Sequence, residues 1–167
     1  VFVATGAVQT QRLYWYDNVI QALHFVRDQS ASVDLTSWGL SLHLFDQSTT
    51  GGEKRWNRVS DLLDELKLLD PGRRTAAVSG ILQSLGCSQG MCGPLRPLTV
   101  EQLRRLASSQ HVTIGAHSHC HNLLDQLSFE DILATIRMSK CLLEEWTGRG
   151  VHYFAYPNGN YDERVVR

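Results

Sequence analysis

Apolar residues recur at helical spacing from Tyr14 to Val26 (YWYDNVIQALHFV) and more regularly from Trp56 to Leu69 (WNRVSDLLDELKLL), where Asp70-Pro71-Gly72 stops the pattern. A further helix is expected near Thr75 to Leu85. Another follows Thr99, whose hydroxyl suits an N-cap for LTVEQLRRLASSQ. The longest starts at Ser128, with Asp131 three residues on, and closes at Gly148 or Gly150. Between and after these lie runs of β type: VFVATG at the start, closing in a glycine turn; Val112 to Ala116, β-branched and followed by a turn; and VHYFAYPNGNYD, a strand entering a Pro-Asn-Gly turn. Residues 30 to 55 read as irregular or hairpin-like. Helix, strand, helix, strand in this order implies βαβ units in an α/β fold, with a parallel sheet or barrel.

Composition narrows the function classes. The 167 residues, 43% hydrophobic and 20% charged, suffice for one domain with a core. Sixteen basic against seventeen acidic residues leave a net charge of -1, which gives no support for nucleic acid as a partner. No apolar run approaches the roughly 18 residues of a transmembrane segment, and no basic, then apolar leader opens the sequence. Four cysteines are too few for a disulfide framework in a chain of this size. Cys87 and Cys92, in GCSQGMCGP, stand either as a pair or as two loop thiols.

The chemistry concentrates in TIGAHSHCHNLL. His117, His119 and His121 fall just after the expected strand, where parallel α/β folds gather their sites. His117 and His121, four apart, would face one side of a helical turn and could grip a zinc ion through two nitrogens, leaving His119 pointing elsewhere. An HExxH zinc-protease reading fails because Ser118 stands where that motif has glutamate. The second constellation, FAYPNGNYD, offers a proline-fixed turn whose N–H groups, that of Asn158 included, could converge on a developing oxyanion; an ordinary type I or II turn is the alternative.

Taken together, these segments resemble the polysaccharide deacetylase (NodB-homology) family of carbohydrate esterases. LTVEQLRRLASSQHVTIGAHSHCHNLLDQLS looks like the family's helix, strand and second motif, with Ser118 at its Ser/Thr position; HYFAYPNGNYD looks like its third motif; VFVATG is similar to its second strand. The resemblance implies a distorted, TIM-like (β/α)7 barrel, here incomplete, and a divalent metal, most readily Zn2+, held by an aspartate and two histidines. It implies His117 and His121 as metal ligands, Tyr156, Pro157 and Gly159 as substrate-binding residues that shape an acetyl pocket, and the Asn158 amide as oxyanion donor. The partner implied is an N-acetylated polysaccharide or oligosaccharide, from which acetyl groups are removed. The family leans towards places outside the cytoplasm, although no signal in this sequence speaks to that.

Departures from the pattern are equally specific. The family's first motif, an Asp-Asp strand supplying a ligand and the base, and its C-terminal motifs have no counterpart here, and Ala155 stands where many relatives have arginine. The sequence therefore reads as the central part of a deacetylase domain over residues 1–167, with residues 8–95 a mostly helical, loosely matching insertion, and on its own with little or no turnover. Asp46, Asp125 and Asp162 are the acids that could stand in as a third ligand. Unpaired sheet edges are expected to promote self-association. A non-catalytic glycan-binding or scaffold domain with the same fold is the competing function, and histidines of purely structural use are the third reading. The run YWYDN serves either as a sugar-stacking platform or as the core face of a helix.

Overall fold

The structure, a computed structural model, describes residues 1–25, 52–87 and 93–166. Its elements in chain order are β1 (Phe2–Val3), α1 (Thr5–Thr10), α2 (Trp15–Phe25), α3 (Gly52–Leu68), α4 (Pro71–Ser84), α5 (Val100–Ser108), β2 (Gly115–Ala116), α6 (Phe129–Thr147) and α7 (Glu163–Val166), with 3-10 turns at Leu124–Gln126 and Pro157–Gly159. They form two compact units, one of Val1–Arg12 with Arg96–Arg167 and one of Leu13–Leu95.

In the first unit β1 and β2 pair in parallel, Phe2 opposite Gly115 and Val3 opposite Ala116. On its other side Ala116 bridges Phe154, also in parallel, through Ala116 N–H to the Tyr153 carbonyl (2.8 Å) and Ala155 N–H to the Ala116 carbonyl (3.0 Å). Val3, Ala116 and Val151 pack with Leu103 and Ala107 of α5 and Leu143 of α6. Strand side chains alternate between faces, so Phe2, next to Val3, and Tyr153, next to Phe154 that packs on the same core, lie on the other side, 52% and 61% exposed.

Helices α5 and α6 of this unit begin where the sequence signals them. Thr99 Oγ1 accepts from Gln102 N–H (3.1 Å) while the Gln102 side chain accepts from Thr99 N–H (2.9 Å), a complete capping box. Ser128 Oγ accepts from Asp131 N–H (3.2 Å), and α6 closes on Gly148 at φ 66°.

The strands are shorter than the pattern predicts. Val112 N–H bonds to the Ser109 carbonyl in a turn rather than to a neighbouring strand, and Pro157, which has no N–H, opens a turn soon after Phe154. The expected strand over 112–116 is thus reduced to Gly115–Ala116, and the later one to a single bridge. Two strands and a bridge make a parallel sheet among the described residues, not a barrel. VFVATG also departs from expectation: its glycine makes no turn, because the helix α1 already begins at Thr5.

In the second unit α2, α3 and α4 enclose Val19, Leu23, Leu62, Leu66 and Ile81. Asp70 Oδ1 accepts from Arg73 N–H (3.0 Å), with Pro71 in the first turn, so α4 starts four residues before the expected Thr75. Trp15 packs against this core with the Arg74 guanidinium 5.4 Å from its ring centre, which places the tryptophan of YWYDN on the core side. Cys87 is disulfide-bonded, whereas Cys120 and Cys141 are free. Cys92, Asp46 and most of the stretch expected to be irregular lie outside the described residues.

Candidate metal centre

Residues 117–121 leave the C-terminal end of β2 and are fixed from both sides. His117 N–H donates to the Val3 carbonyl (3.1 Å), and the His117 ring Nδ1 lies 2.8 Å from the Ala155 carbonyl. A carbonyl only accepts, so Nδ1 carries the proton and the neutral ring keeps its lone pair on Nε2. That Nε2 lies 3.1 Å from Nε2 of His121, with the two rings nearly perpendicular at 75°. In this bond His121 is therefore the donor.

The expected helical turn is absent. Ser118 and His121 instead adopt left-handed backbone, at φ 60° and 52°, and the fully buried Ser118 hydroxyl accepts from His121 N–H (3.0 Å). Two non-glycine residues in this region cost on the order of 1–3 kcal/mol each. Asn158, at φ 56°, is a third. Of the four left-handed residues other than glycine among those described, three thus belong to the two segments singled out by sequence.

The donor set fits part of a zinc site. Two ligands at 2.0–2.1 Å in tetrahedral array stand about 3.3 Å apart, against the 3.1 Å between the two Nε2 atoms. The bond from His117 Nδ1 to a backbone carbonyl is the partner that metal-bound histidines commonly have. Among the described residues no group of three or more His, Cys, Asp or Glu side chains forms a metal cluster. Asp162 is engaged with Arg164 at 2.7 Å and 2.9 Å. Asp125 receives Asn160 Nδ2 at 3.4 Å on Oδ2, while its Oδ1 is buried without a hydrogen-bond partner.

Burial, and secondarily the neighbouring His117, push the His121 imidazole down to about 4. A free histidine titrates near 6.5, so between pH 6.5 and 4 the unfolded chain binds a proton that the folded one refuses. The contribution of this group to stability is complete above about pH 6.5 and is lost as pH falls through that window. Thermal melts of the metal-free protein should therefore show a falling midpoint from pH 6.5 to 4, with a smaller fall in His121→Gln. Equal slopes in the two proteins would contradict the burial of this ring.

His119 turns away from the pair. Its Nδ1 lies 2.9 Å from Thr5 Oγ1 and its N–H donates to Thr135 Oγ1 (3.0 Å). The third-motif segment sits beside the pair through the Ala155 carbonyl. Pro157 is buried, Tyr156 packs against Tyr161 with tilted rings 5.2 Å apart, and the turn closes through Gly159 N–H to Tyr156 O and Asn160 N–H to Pro157 O. Neither bond uses the N–H of Asn158, an exposed residue. An open cavity of about 520 Å3 lies along Tyr161, Asp162, Glu163 and Val166. Another of about 120 Å3 lies near Ala107, Ile114 and Val151, before β2 begins; neither includes the histidines.

Sequence reasoning missed Thr5, Thr135 and the carbonyl of Ala155. No residue type announces a carbonyl contact, and Thr5 was concealed within an apparent strand and turn. A sequence model of one protein family, described as polysaccharide deacetylase, matches residues 43–167, three quarters of the chain. No curated protein and no solved structure matches it.

Proposed function

The chain belongs to the polysaccharide deacetylase family, and on that premise we propose that it carries the histidine half of a metal centre for removing acetyl groups from N-acetylated sugars. The observation that carries the reading is the convergence of His117 and His121 at 3.1 Å on a loop held in left-handed backbone. These two would hold a divalent ion, most readily Zn2+. Such an ion, when bound, polarises a carbonyl and makes water a nucleophile at neutral pH. His117 is held by the Ala155 carbonyl with its lone pair on Nε2, and His121 would offer a second from Nε2 in its other tautomer, with its one ring proton moved to Nδ1.

The neighbouring turn suits the other end of the reaction. Pro157 and the left-handed Asn158 present an N–H that the turn itself does not consume, in keeping with an oxyanion donor. Tyr156 and Gly159 flank it as walls for an acetyl group. The parallel pairing and the position of the histidines after β2 agree with an incomplete (β/α)7 barrel. Residues 8–95 are read as an insertion, supported by a compact unit at Leu13–Leu95, although the family match enters that unit at residue 43. Exposed Val1, Phe2 and Tyr153, beside strand edges that have no partner strand among the described residues, favour self-association.

Calorimetric titration with zinc at pH 7 should show one equivalent bound. Adding an N-acetylglucosamine oligomer to the zinc-loaded protein should then shift the backbone amide signals of Asn158 and Gly159. Zinc uptake without those shifts would remove the substrate assignment, and no uptake would remove the metal site.

A further inference from the structure

The loop that brings His117 and His121 together has no regular secondary structure, so something outside it must hold its middle. Its carbonyls supply the first contacts. Thr5 N–H donates to the Ser118 carbonyl (3.3 Å) and Gly6 N–H to the His119 carbonyl (2.8 Å), so the first turn of α1, which has no side-chain cap, is capped by the loop. Side chains add two more. Thr5 Oγ1 meets His119 Nδ1 at 2.9 Å, and Thr135 Oγ1 on α6 accepts from His119 N–H at 3.0 Å.

The approach is close enough to dictate a residue. A Cβ on Gly6 would stand 2.6 Å from the His119 carbonyl oxygen, a backbone atom that cannot swing aside, and 3.7 Å from the ring Nε2. Thr5 is fully buried, so its hydroxyl has no water to turn to. The middle of the loop is thus gripped at His119 on both backbone and ring. The left-handed residues Ser118 and His121 lie one before and two after it.

We propose that Thr5, Gly6 and Thr135 are positioning residues that, by clamping His119, set the separation of the His117 and His121 Nε2 atoms. His119 is then a strut and not a ligand. This rests on the reading of the pair as a metal site. Gly6 enforces contact, Thr5 orients the ring, and Thr135 fixes the backbone of the residue between the two left-handed positions.

The test compares Thr5→Val, which keeps shape and loses the hydroxyl, with Thr5→Ser, which keeps the hydroxyl, and with Thr135→Val on the other side of the clamp. Cobalt(II) alone is the probe, read by its visible absorption bands and by titration. Both valine variants are expected to bind cobalt about tenfold more weakly, with altered bands, while Thr5→Ser recovers most of the affinity and the parent spectrum. Lower melting midpoints with unchanged cobalt affinity and bands would overturn the proposal.

Nitrogen-15 spectra of the histidine rings in the metal-free protein give a second reading that needs no metal. The ring signals of His117 and His121 should move in Thr5→Val and return in Thr5→Ser; immobile signals would overturn the clamp. If the parent binds no cobalt, the metal-site reading fails, and the ring spectra still decide whether the clamp sets the pair.

Discussion

Replacing both His117 and His121 by alanine is expected to weaken zinc binding by more than about 100-fold, since outer-shell changes alone cost 10- to 100-fold and these are the only histidines whose ring nitrogens meet among those described. Calorimetry at pH 7 should show the single equivalent of the parent disappear, with the far-ultraviolet circular dichroism unchanged. The expected sparing of the fold follows from position: both rings are only partly buried, and neither belongs to a hydrophobic cluster. His119→Ala separates coordination from support. It should weaken binding by much less than the double variant, because its ring bonds to Thr5 and does not face the pair. Equal losses in both proteins would mean that the wrong histidines have been assigned.

The second large effect concerns the packing behind the site. Leu143 of α6 is fully buried among Val3, Leu103, Ala107, Ile114, Ala116 and Val151, which ties the helix to the strands that precede the histidine loop. Leu143→Ala removes buried methyl groups and leaves a cavity, at an expected cost of about 2–5 kcal/mol. Against a typical total of about 5–15 kcal/mol this is a large fraction. Met138 on the same helix is 48% exposed, and Met138→Ala should change stability by less than about 0.5 kcal/mol. Urea unfolding distinguishes the two, and comparable losses at both positions would contradict the orientation of α6.

The helices were legible because their signals are local. Thr99 with Gln102 and Ser128 with Asp131 are caps within four residues, and Gly148 closes α6 by a backbone angle that glycine adopts freely. The strands were less legible because pairing is not local. Val112 to Ala116 has the composition of a strand, but its length is set by where the Ser109 turn and the Pro157 turn interrupt the neighbours. The Thr-Gly of VFVATG illustrates the same limit. Nothing within six residues says that Gly6 must lie against the carbonyl of a residue 113 positions away.

The candidate site was legible in its residue types and not in its geometry. The spacing of His117 and His121 suggested a helical turn, whereas two left-handed residues and the Ser118 hydroxyl achieve the convergence. The third-motif turn was expected from Pro157 and Gly159, and it forms with Asn158 and Gly159 both in left-handed backbone. Its link to the histidine pair, through the Ala155 carbonyl, could not be read from a side chain that is only a methyl group.

The central claim is that the two Nε2 atoms together hold a metal ion, and X-ray absorption at the zinc edge of the loaded protein tests it most directly. The account predicts two imidazole nitrogens at about 2.0–2.1 Å, reduced to none when His117 and His121 are both alanine. A parent spectrum without imidazole scattering, or one that the double substitution leaves unchanged, would contradict it.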